Sequence, residues 1–217
     1  IETDLGLAWG CRPDPATGFR GPGRKGEPCP QATLEALRAF SWLPADEHPA
    51  WLAGVVHTSL EIWRQRGTRK PYMMGHGRQF KTVKWPPTWY CAYEVVDTLG
   101  RLPETWRHSA EDRVSLAEIA ACLLAYNVAA DGRVTPQSAF KGWEWLSLGQ
   151  KKEPSPLATR MVWVRLAMLE ALADEIAAMV WARLAMLENL AEEIAAVDVL
   201  RLASSKGGSG TPMPPRV

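Results

Sequence analysis

The sequence has little net charge and no long hydrophobic run. Its 25 Lys and Arg side chains are balanced by 24 Asp and Glu, which leaves a formal charge of +1 at pH 7. Because no field of one sign surrounds the whole molecule, we do not expect a nucleic-acid partner. No apolar run reaches the length that spans a bilayer, and no signal-peptide pattern is present, so we expect no transmembrane segment and a cytoplasmic location.

Cysteine is also scarce. The chain has four cysteines, Cys11, Cys29, Cys91 and Cys122, and no C-x-x-C pair. Their spacing fits no zinc pattern, and we expect neither a metal nor a cofactor. The 18 positions from Cys11 to Cys29 permit a disulfide, but buried free thiols in a reducing compartment are the favoured interpretation.

Tryptophan, in contrast, is abundant. The chain has 11 Trp but only 4 Phe and 4 Tyr, which indicates either tryptophan-rich packing or a cavity lined by aromatic side chains. With 217 residues, of which 47% are hydrophobic, the chain is able to bury the core of one or two domains.

An internal repeat predicts how the chain is organised. The segment Lys25–Thr33 recurs 126 positions later as Lys151–Thr159, with the pattern K-x-E-P-x-P in both. A weaker copy is offset by 59 positions and begins at Pro87. Since proline is tolerated at the start of a helix but not in its interior, we expect three equivalent helices beginning near Pro28, Pro87 and Pro154. This alignment matches one apolar face of the first copy to the second, placing Leu34, Leu37 and Phe40 on Tyr93, Val96 and Leu99.

Two further helices are predicted between these three. An apolar stripe at helical spacing runs from Pro49 to about Arg66, and Ser109 begins a capping pattern ahead of a helix that ends before Asp131. No stretch has a strand signal strong enough to hold a sheet. The sequence therefore predicts an all-α fold in which αα repeats over residues 1–160 form an arc, or partial α/α toroid.

The C-terminal third contains a duplication. Residues 161–178 are followed directly by a near copy, 179–196, and this step of 18 residues corresponds to about five helical turns. Both copies therefore present the same apolar stripe. We expect a long amphipathic helix over 161–203, which pairs with a helical partner or a second copy of the chain, or else breaks near Ala178 and folds back. Residues 204–217 read as a flexible tail.

One arginine stands inside the apolar stripe of each copy. These residues are Arg165 and Arg183. Because a buried guanidinium group needs a partner, we predict a carboxylate opposite each of them.

Several segments carry a family resemblance. They are Lys70-Pro71-Tyr72, Gly75-His76-Gly77, Phe80 to Pro86, Trp89-Tyr90, Val96 to Arg101 and Gly149 to Ser155. With them the chain, from about Leu5 to Ala171, resembles bacterial proteins with prenyltransferase/squalene-cyclase repeats in the α/α-toroid terpenoid-cyclase superfamily. The resemblance implies a helical protein that binds or converts an apolar, isoprenoid-like ligand. The D-x-D-D acid of class II cyclases is absent, and the Asp, Cys and His zinc set of protein prenyltransferases has no matching positions. A full toroid also needs about twice as many helices.

A basic stretch without acidic residues lies among these segments. Seven basic residues and no carboxylate occur between Arg64 and Lys84, directly before Trp85. Such a stretch can hold the anionic head of a ligand such as an isoprenoid diphosphate while aromatic side chains receive its apolar tail. A solvated basic loop is the simpler alternative. The predicted ligand-binding residues are Lys70, Tyr72, His76, Arg78, Lys81, Lys84, Trp85, Trp89, Tyr90, Lys151 and Lys152.

Three residues are weak candidates for acid–base chemistry. His76 has a glycine on each side, which favours an exposed and adaptable imidazole. Glu94 and Asp97 are three residues apart on one predicted helix and can face the same way, although Asp97 can equally pair with Arg101. Two hypotheses stay open: a cavity protein that binds or processes an apolar or amphiphilic ligand, and a non-catalytic helical scaffold or oligomerisation module that acts through the duplicated helix.

Overall fold

The structure of the chain is a computed structural model. It describes residues 1–11, 14, 16–18, 27–85, 91–139 and 153–181. The chain divides into two compact units, Ile1–Met179 and Val180–Val217, and all but two of the described residues belong to the first. Within these ranges no helix is both long enough and apolar enough to cross a membrane.

The described residues are mostly helical, which confirms the predicted all-α class. The α-helices, in chain order, are α1 (Pro30–Phe40), α2 (Leu52–Arg64), α3 (Arg66–Arg69), α4 (Arg78–Lys81), α5 (Ala92–Gly100), α6 (Pro103–Trp106), α7 (Ala110–Asn127) and α8 (Pro156–Ala167). Short 3-10 turns lie at Ala45–Glu47 and Glu170–Leu172, and residues 173–181 are again helical.

Extended structure among the described residues consists of short pairings. An antiparallel hairpin joins β1 (Glu2–Thr3) to β2 (Gly6–Leu7), and β3 (Lys84–Trp85) pairs in parallel with β4 (Ser138–Ala139). Strands of two residues bury too little surface to form a core by themselves. The helices therefore carry the core, and the strands fix the paths of the connecting segments.

Helix α5 lies at the centre of the first unit. All nine of its residues are buried, and it contacts α1, α4, α7 and α8. Helix α2 in turn contacts α1, α6 and α7. A helix buried on every side is normally apolar all round, but α5 carries Glu94 and Asp97. These two carboxyl groups consequently need polar partners on the neighbouring helices.

The first and third proline motifs begin helices as predicted. Helix α1 begins at Pro30 after Cys29, and α8 begins at Pro156 after Ser155, whose hydroxyl oxygen accepts a hydrogen bond from the backbone N–H of Ala158. A proline at the first helical position loses no backbone hydrogen bond, because that N–H has no partner within the helix. The repeated K-x-E-P-x-P pattern is thus a helix-entry sequence in both places.

The prediction for the middle copy is wrong in its position. Helix α5 begins at Ala92 rather than near Pro87, because Cys91 has an extended backbone (φ −146°, ψ 170°) and caps the helix. Residues 86–90 lie outside the described ranges. When the helix beginnings are matched, Cys29 corresponds to Cys91, and the offset is 62 rather than 59 positions. Leu34 then corresponds to Val96 rather than to Tyr93.

Helices α2 and α7 confirm the two intervening predictions. Helix α2 buries most of the stripe expected after Pro49. The side chain of Ser109 caps α7 by accepting a hydrogen bond from the backbone N–H of Asp112 at 3.2 Å, and α7 ends at Asn127. This serine cap satisfies an N–H group that a helix start leaves free.

The long helix expected over 161–203 is interrupted near its start. Helix α8 ends at Ala167, and the 3-10 turn Glu170–Leu172 separates it from the helical residues 173–181. At this turn Met168 lies close to the end of α5, since a Cβ atom on Gly100 would be 3.2 Å from the Cβ of Met168. The interruption therefore lies where the chain passes the end of α5. Residues 182–217, with most of the second copy and the predicted tail, lie outside the described residues.

Candidate functional site

Two candidate acid–base residues of α5, Glu94 and Asp97, each contact polar side chains, Glu94 on α1 and Asp97 at the end of α5 and on α8. The Glu94 carboxylate accepts a hydrogen bond from Gln31 Nε2 at 3.1 Å and lies 3.2 Å from Arg38 Nη2, and both partners are on α1. Asp97 accepts from Arg101 Nη2 at 3.1 Å and from Arg165 Nε at 2.6 Å. Helix α5 is therefore linked to α1 through Glu94 and to α8 through Asp97.

The Asp97 contacts settle two expectations. The pairing of Asp97 with Arg101 is confirmed, and the carboxylate predicted opposite Arg165 is Asp97. Arg183 lies outside the described residues. Because Asp97 accepts from two guanidinium groups, its Oδ1 atom is already occupied by structural hydrogen bonds. These contacts fit a structural role for Asp97, joining α5 to α8, better than a role as a general base.

Glu94 has a different environment. Its side chain is 0% exposed, and burial raises the pKa of its carboxyl group to about 8, against the opposing effect of Arg38. Burial similarly raises the pKa of the neighbouring Tyr93 to about 12, and its hydroxyl has no hydrogen-bond partner within the described residues. A carboxyl group that holds its proton near neutral pH is chemically able to act as an acid. Sequence reasoning found Glu94 by its helical spacing but had no signal for its burial.

Three arginines of the basic stretch already have acidic partners. Arg64 bonds to Asp112 at 3.1 Å, Arg66 bonds to Glu118 at 2.6 Å, and Arg69 pairs with Asp4. The acids come from distant parts of the chain, and these three cations are already neutralised. The predicted anion site must therefore depend on the basic residues that follow.

The remaining predicted cations lie in different settings. Lys70 and Arg78 are exposed, and the Lys81 ammonium lies 5.3 Å from the centre of the Tyr126 ring. Lys84 is half-buried, and burial lowers its pKa, while the nearby Cys91 opposes this shift. Lys84 thus interacts electrostatically with Cys91, the residue directly before α5.

Asn127 fixes this part of the chain, and sequence reasoning missed it. Its amide oxygen accepts from the backbone N–H of Val83 at 2.6 Å, and its amide nitrogen donates to the backbone oxygen of Lys81 at 2.9 Å. Asn127 is buried at the end of α7. A lone asparagine at a predicted helix end gives no signal for such a role, because its partners lie more than 40 positions away.

A compact loop over residues 70–77 holds His76. Lys70 (φ 48°), Met73 (φ 67°) and Gly77 (φ 59°) adopt left-handed backbone conformations. Non-glycine residues in this region are uncommon and store strain of about 1–3 kcal/mol each. The Tyr72 ring packs edge-on to the His76 ring with centroids 5.3 Å apart, and His76 itself is exposed. His76, predicted to be adaptable, is thus in edge-on contact with Tyr72, another predicted ligand residue.

Gly75 leaves no room for a side chain in this loop. A Cβ atom there would lie 2.6 Å from the backbone oxygen of Pro71 and 2.7 Å from the backbone carbon of Lys70. We expect Gly75→Ala to lower the free energy of unfolding by about 1–3 kcal/mol, because the backbone must move to relieve the overlap. Urea denaturation followed by circular dichroism measures the change.

A matched control exists on α2. Gly54 is exposed within the helix, and a Cβ atom there meets nothing within 4 Å. Gly54→Ala should be neutral or stabilising by up to about 1 kcal/mol, because alanine favours the helix. Equal effects of the two substitutions would show that the loop at Gly75 adapts without cost.

Two predicted ligand residues interact electrostatically with cysteines that precede helices. Burial first, and then the charges of Cys29 and Cys11, raise the pKa of the Tyr72 hydroxyl. The Cys91 thiol, at the start of α5, raises the pKa of Lys84 against the larger effect of burial. Tyr72 thus interacts electrostatically with the residue before α1, and Lys84 with the residue before α5. The other predicted ligand residues, Trp89, Tyr90, Lys151, Lys152 and the side chain of Trp85, lie outside the described residues.

Three cavities in the described part of the chain lie away from these side chains. The largest of the three, about 540 Å³, is an apolar groove whose lining includes Leu124, Leu166, Leu169 and Ile176. A second, about 360 Å³, is lined by the N-terminal hairpin and Trp51, and a third, about 440 Å³, lies at the start of α8. None of the predicted ligand residues within the described ranges lines any of the three.

Within the described residues, no group of three or more His, Cys, Asp and Glu side chains is arranged to hold a metal ion. Comparison with known proteins gives no further assignment. No family model, no curated protein and no solved structure matches the chain. The resemblance to prenyltransferase/squalene-cyclase repeat proteins therefore stays a prediction that depends on the segments quoted above.

Proposed function

We propose that the helices form an arc of αα repeats, as the resemblance implies. Helices α1, α5 and α8 would be the inner helices, since α5 contacts both of the others. Helices α2 and α7 would be the outer ones, since α2 contacts α1 and α7 contacts α5, and the two also contact each other. This pattern of neighbours is what a curved two-layer stack of helical hairpins requires.

We further propose that this arc binds an amphiphilic, isoprenoid-like ligand with an anionic head. The observation that supports the proposal is that Tyr72 interacts electrostatically with Cys29, directly before α1, and Lys84 with Cys91, directly before α5. Helix amino ends present free N–H groups and a partial positive charge, and both favour an anion. The phenol and the ammonium of the two side chains add donors of the same kind.

Lys84 is the central residue in this proposal. Because burial lowers its pKa, removal of its ammonium from water carries a cost. A diphosphate or carboxylate beside it would offset that cost and favour the charged form. Trp85, Trp89 and Tyr90 follow Lys84 in the sequence, and we assign them to the apolar tail of the ligand. Glu94, buried three residues beyond Cys91, would then be the nearest candidate acid on the same helix.

The test is a binding measurement with one amphiphile and its two halves. Farnesyl diphosphate, farnesol and inorganic diphosphate are titrated into the full chain, and intrinsic tryptophan fluorescence and calorimetry report binding. We expect farnesyl diphosphate to bind more tightly than either half, because both head and tail contribute. Native mass spectrometry of the purified chain additionally reveals a co-purifying apolar ligand. Equal binding of all three compounds, or of none, contradicts the proposal.

Replacement of Lys84 by methionine isolates the head group. We expect Lys84→Met to weaken binding of farnesyl diphosphate about ten-fold or more, because a charge-assisted hydrogen bond is lost. Farnesol binding should change little. Arg107→Gln is the control, because Arg107 is exposed and follows the last residue of α6. A similar loss in both variants would mean that general charge, not the position of Lys84, governs binding.

A second candidate function is a non-catalytic scaffold or oligomerisation module. The observation that favours it is the apolar groove lined by Leu124, Leu166, Leu169 and Ile176, beside the half-exposed Trp163. Light scattering and native mass spectrometry of the chain give the number of subunits. A dimer that dissociates when Ile176 is replaced by aspartate, with no ligand binding at any concentration, would favour the scaffold over the ligand-binding function.

A further inference from the structure

We infer that Cys11 and Cys29 form an intramolecular disulfide by exchange with a disulfide of another molecule, and that this bond ties the N-terminal segment to the start of helix α1. In the structure both cysteines are free thiols, and their Sγ atoms are 2.8 Å apart. This separation is only about 0.8 Å longer than an S–S bond. Formation of the bond therefore needs almost no movement of either side chain.

Two hydrogen bonds hold together the segments that carry the two sulfurs, one between backbone groups and one from a backbone N–H to a side chain. The N–H of Cys29 donates to the backbone oxygen of Trp9 at 2.8 Å, and the N–H of Trp9 donates to the hydroxyl oxygen of Thr33 at 3.1 Å. Trp9 is two residues before Cys11, and Thr33 is on the first turn of α1. The proximity of the thiols is thus a property of two paired backbone segments rather than of one rotamer.

The accessibility of the two thiols sets the order of the exchange. Cys11 is partly exposed, whereas Cys29 is 1% exposed. The Cys11 thiolate attacks one sulfur of the external disulfide, forms a mixed disulfide and releases the first external thiol. The Cys29 thiolate then attacks the Sγ of Cys11, forms the internal bond and releases the second external thiol. The two cysteines lose two electrons and two protons, and the external disulfide gains them.

The environment of Cys11 also predicts a pH dependence of the rate. Burial, followed by the hydrogen bond and charge of Cys29, raises the pKa of Cys11 to about 12. Because the thiolate is the attacking species and remains a small fraction below that pKa, its concentration rises with pH. We expect the rate of oxidation to increase about ten-fold for each unit between pH 7 and pH 9.

The disulfide would stabilise the N-terminal segment, which already contacts the basic stretch and helix α2. Asp4 pairs with Arg69, and the hydroxyl of Thr58 on α2 donates to the backbone oxygen of Leu5. Closing the loop from Cys11 to Cys29 restricts the unfolded chain. For a protein of this size we expect a rise in Tm of about 6–12 °C on oxidation.

The experiment uses the full chain, reduced and then equilibrated with equal concentrations of reduced and oxidised glutathione. After acid quenching and denaturation, free thiols are alkylated and the mass is measured. We expect two alkylated cysteines, a tryptic pair of peptides joined through Cys11 and Cys29, and the rise in Tm. Four alkylated cysteines, a glutathione adduct that persists on Cys11, or a bond that uses Cys91 or Cys122 would overturn the inference.

The single variant Cys11→Ser provides the control. Cys11→Ser should retain three alkylated cysteines under the same conditions and show no rise in Tm between reducing and oxidising buffers. If Cys11→Ser shows the same rise in Tm as the unmodified sequence, the stabilisation does not come from this bond and the inference fails. The mass measurement on the unmodified sequence decides the pairing itself, whether or not the variant folds.

Discussion

Between pH 4.5 and pH 8, the free energy of unfolding of the unmodified sequence should fall by about 4–5 kcal/mol relative to that of the Glu94→Gln variant. Glu94 is buried beside Gln31 and Arg38 of α1, and burial raises its pKa from 4.5 to about 8. Each pKa unit corresponds to about 1.4 kcal/mol of difference between the two protonation states. The glutamine side chain has the same shape but does not titrate.

The sign follows from proton binding. Between pH 4.5 and 8 the folded chain holds a proton on Glu94 that the unfolded chain has released. The free energy of unfolding contributed by Glu94 is therefore fully present below pH 4.5 and falls by up to about 1.4 kcal/mol per unit as the pH rises to 8. Stability of the unmodified sequence relative to Glu94→Gln should consequently decrease over this range.

Urea denaturation at pH 5, 6, 7 and 8 measures this difference directly. The exposed Glu47 provides the control, and Glu47→Gln should give a curve parallel to that of the unmodified sequence. Parallel curves for Glu94→Gln and the unmodified sequence would show that Glu94 titrates normally, and its role as a candidate acid would then be lost.

Truncation of Trp106 should strongly damage the apolar core, with a cost of about 3–5 kcal/mol for Trp106→Ala. Trp106 is 1% exposed, and its indole N–H donates to the backbone oxygen of Leu99 at 2.8 Å. It is the last residue of α6, which packs on α2, and so it joins the end of α5 to the neighbouring helix. Its removal leaves a large cavity and takes away one of two hydrogen bonds to the Leu99 carbonyl, which also accepts from the backbone N–H of Leu102.

Two further variants separate the effect of the lost hydrogen bond and the effect of an exposed tryptophan from that of the lost core volume. Trp106→Phe keeps most of the volume but loses the indole donor, and should cost about 1–2 kcal/mol. Trp42→Ala should cost less than about 1 kcal/mol, because Trp42 is 68% exposed and only stacks on the Arg101 guanidinium at 4.2 Å. Thermal and urea denaturation rank the three. An equal cost for Trp42→Ala and Trp106→Ala would contradict the assignment of Trp106 to the core.

Local signals explain where sequence reasoning succeeded. Proline at the first helical turn and a serine cap act within four residues, and they located the starts of α1, α7 and α8. The double proline before α5 acted differently, since the helix begins at Ala92, after the extended residue Cys91. Proline fixes its own φ angle and permits a helix to start, but the packing of α5 among four other helices determines where it does start.

Charge pairing explains where the candidate site differed from expectation. The stretch from Arg64 to Lys84 contains no acid, but Asp4, Asp112 and Glu118 reach three of its arginines across separations of 48 to 65 positions. Side-chain periodicity carries no information about such pairs. The spacing of Glu94 and Asp97 predicted a shared helix, but not that one is buried beside α1 while the other joins α5 to α8.

The sequence by itself determined the helical class, the entry points of α1, α7 and α8, and the need of Arg165 for a carboxylate. These features depend on dihedral preferences, hydrogen bonds within one helical turn and the cost of burying a charge. Only the tertiary structure decided which acids neutralise the basic stretch, which carboxyl group is buried enough to hold its proton, and that Cys11 meets Cys29. Each of these depends on the approach of distant segments, because burial and pairing are set by the neighbours that packing brings together.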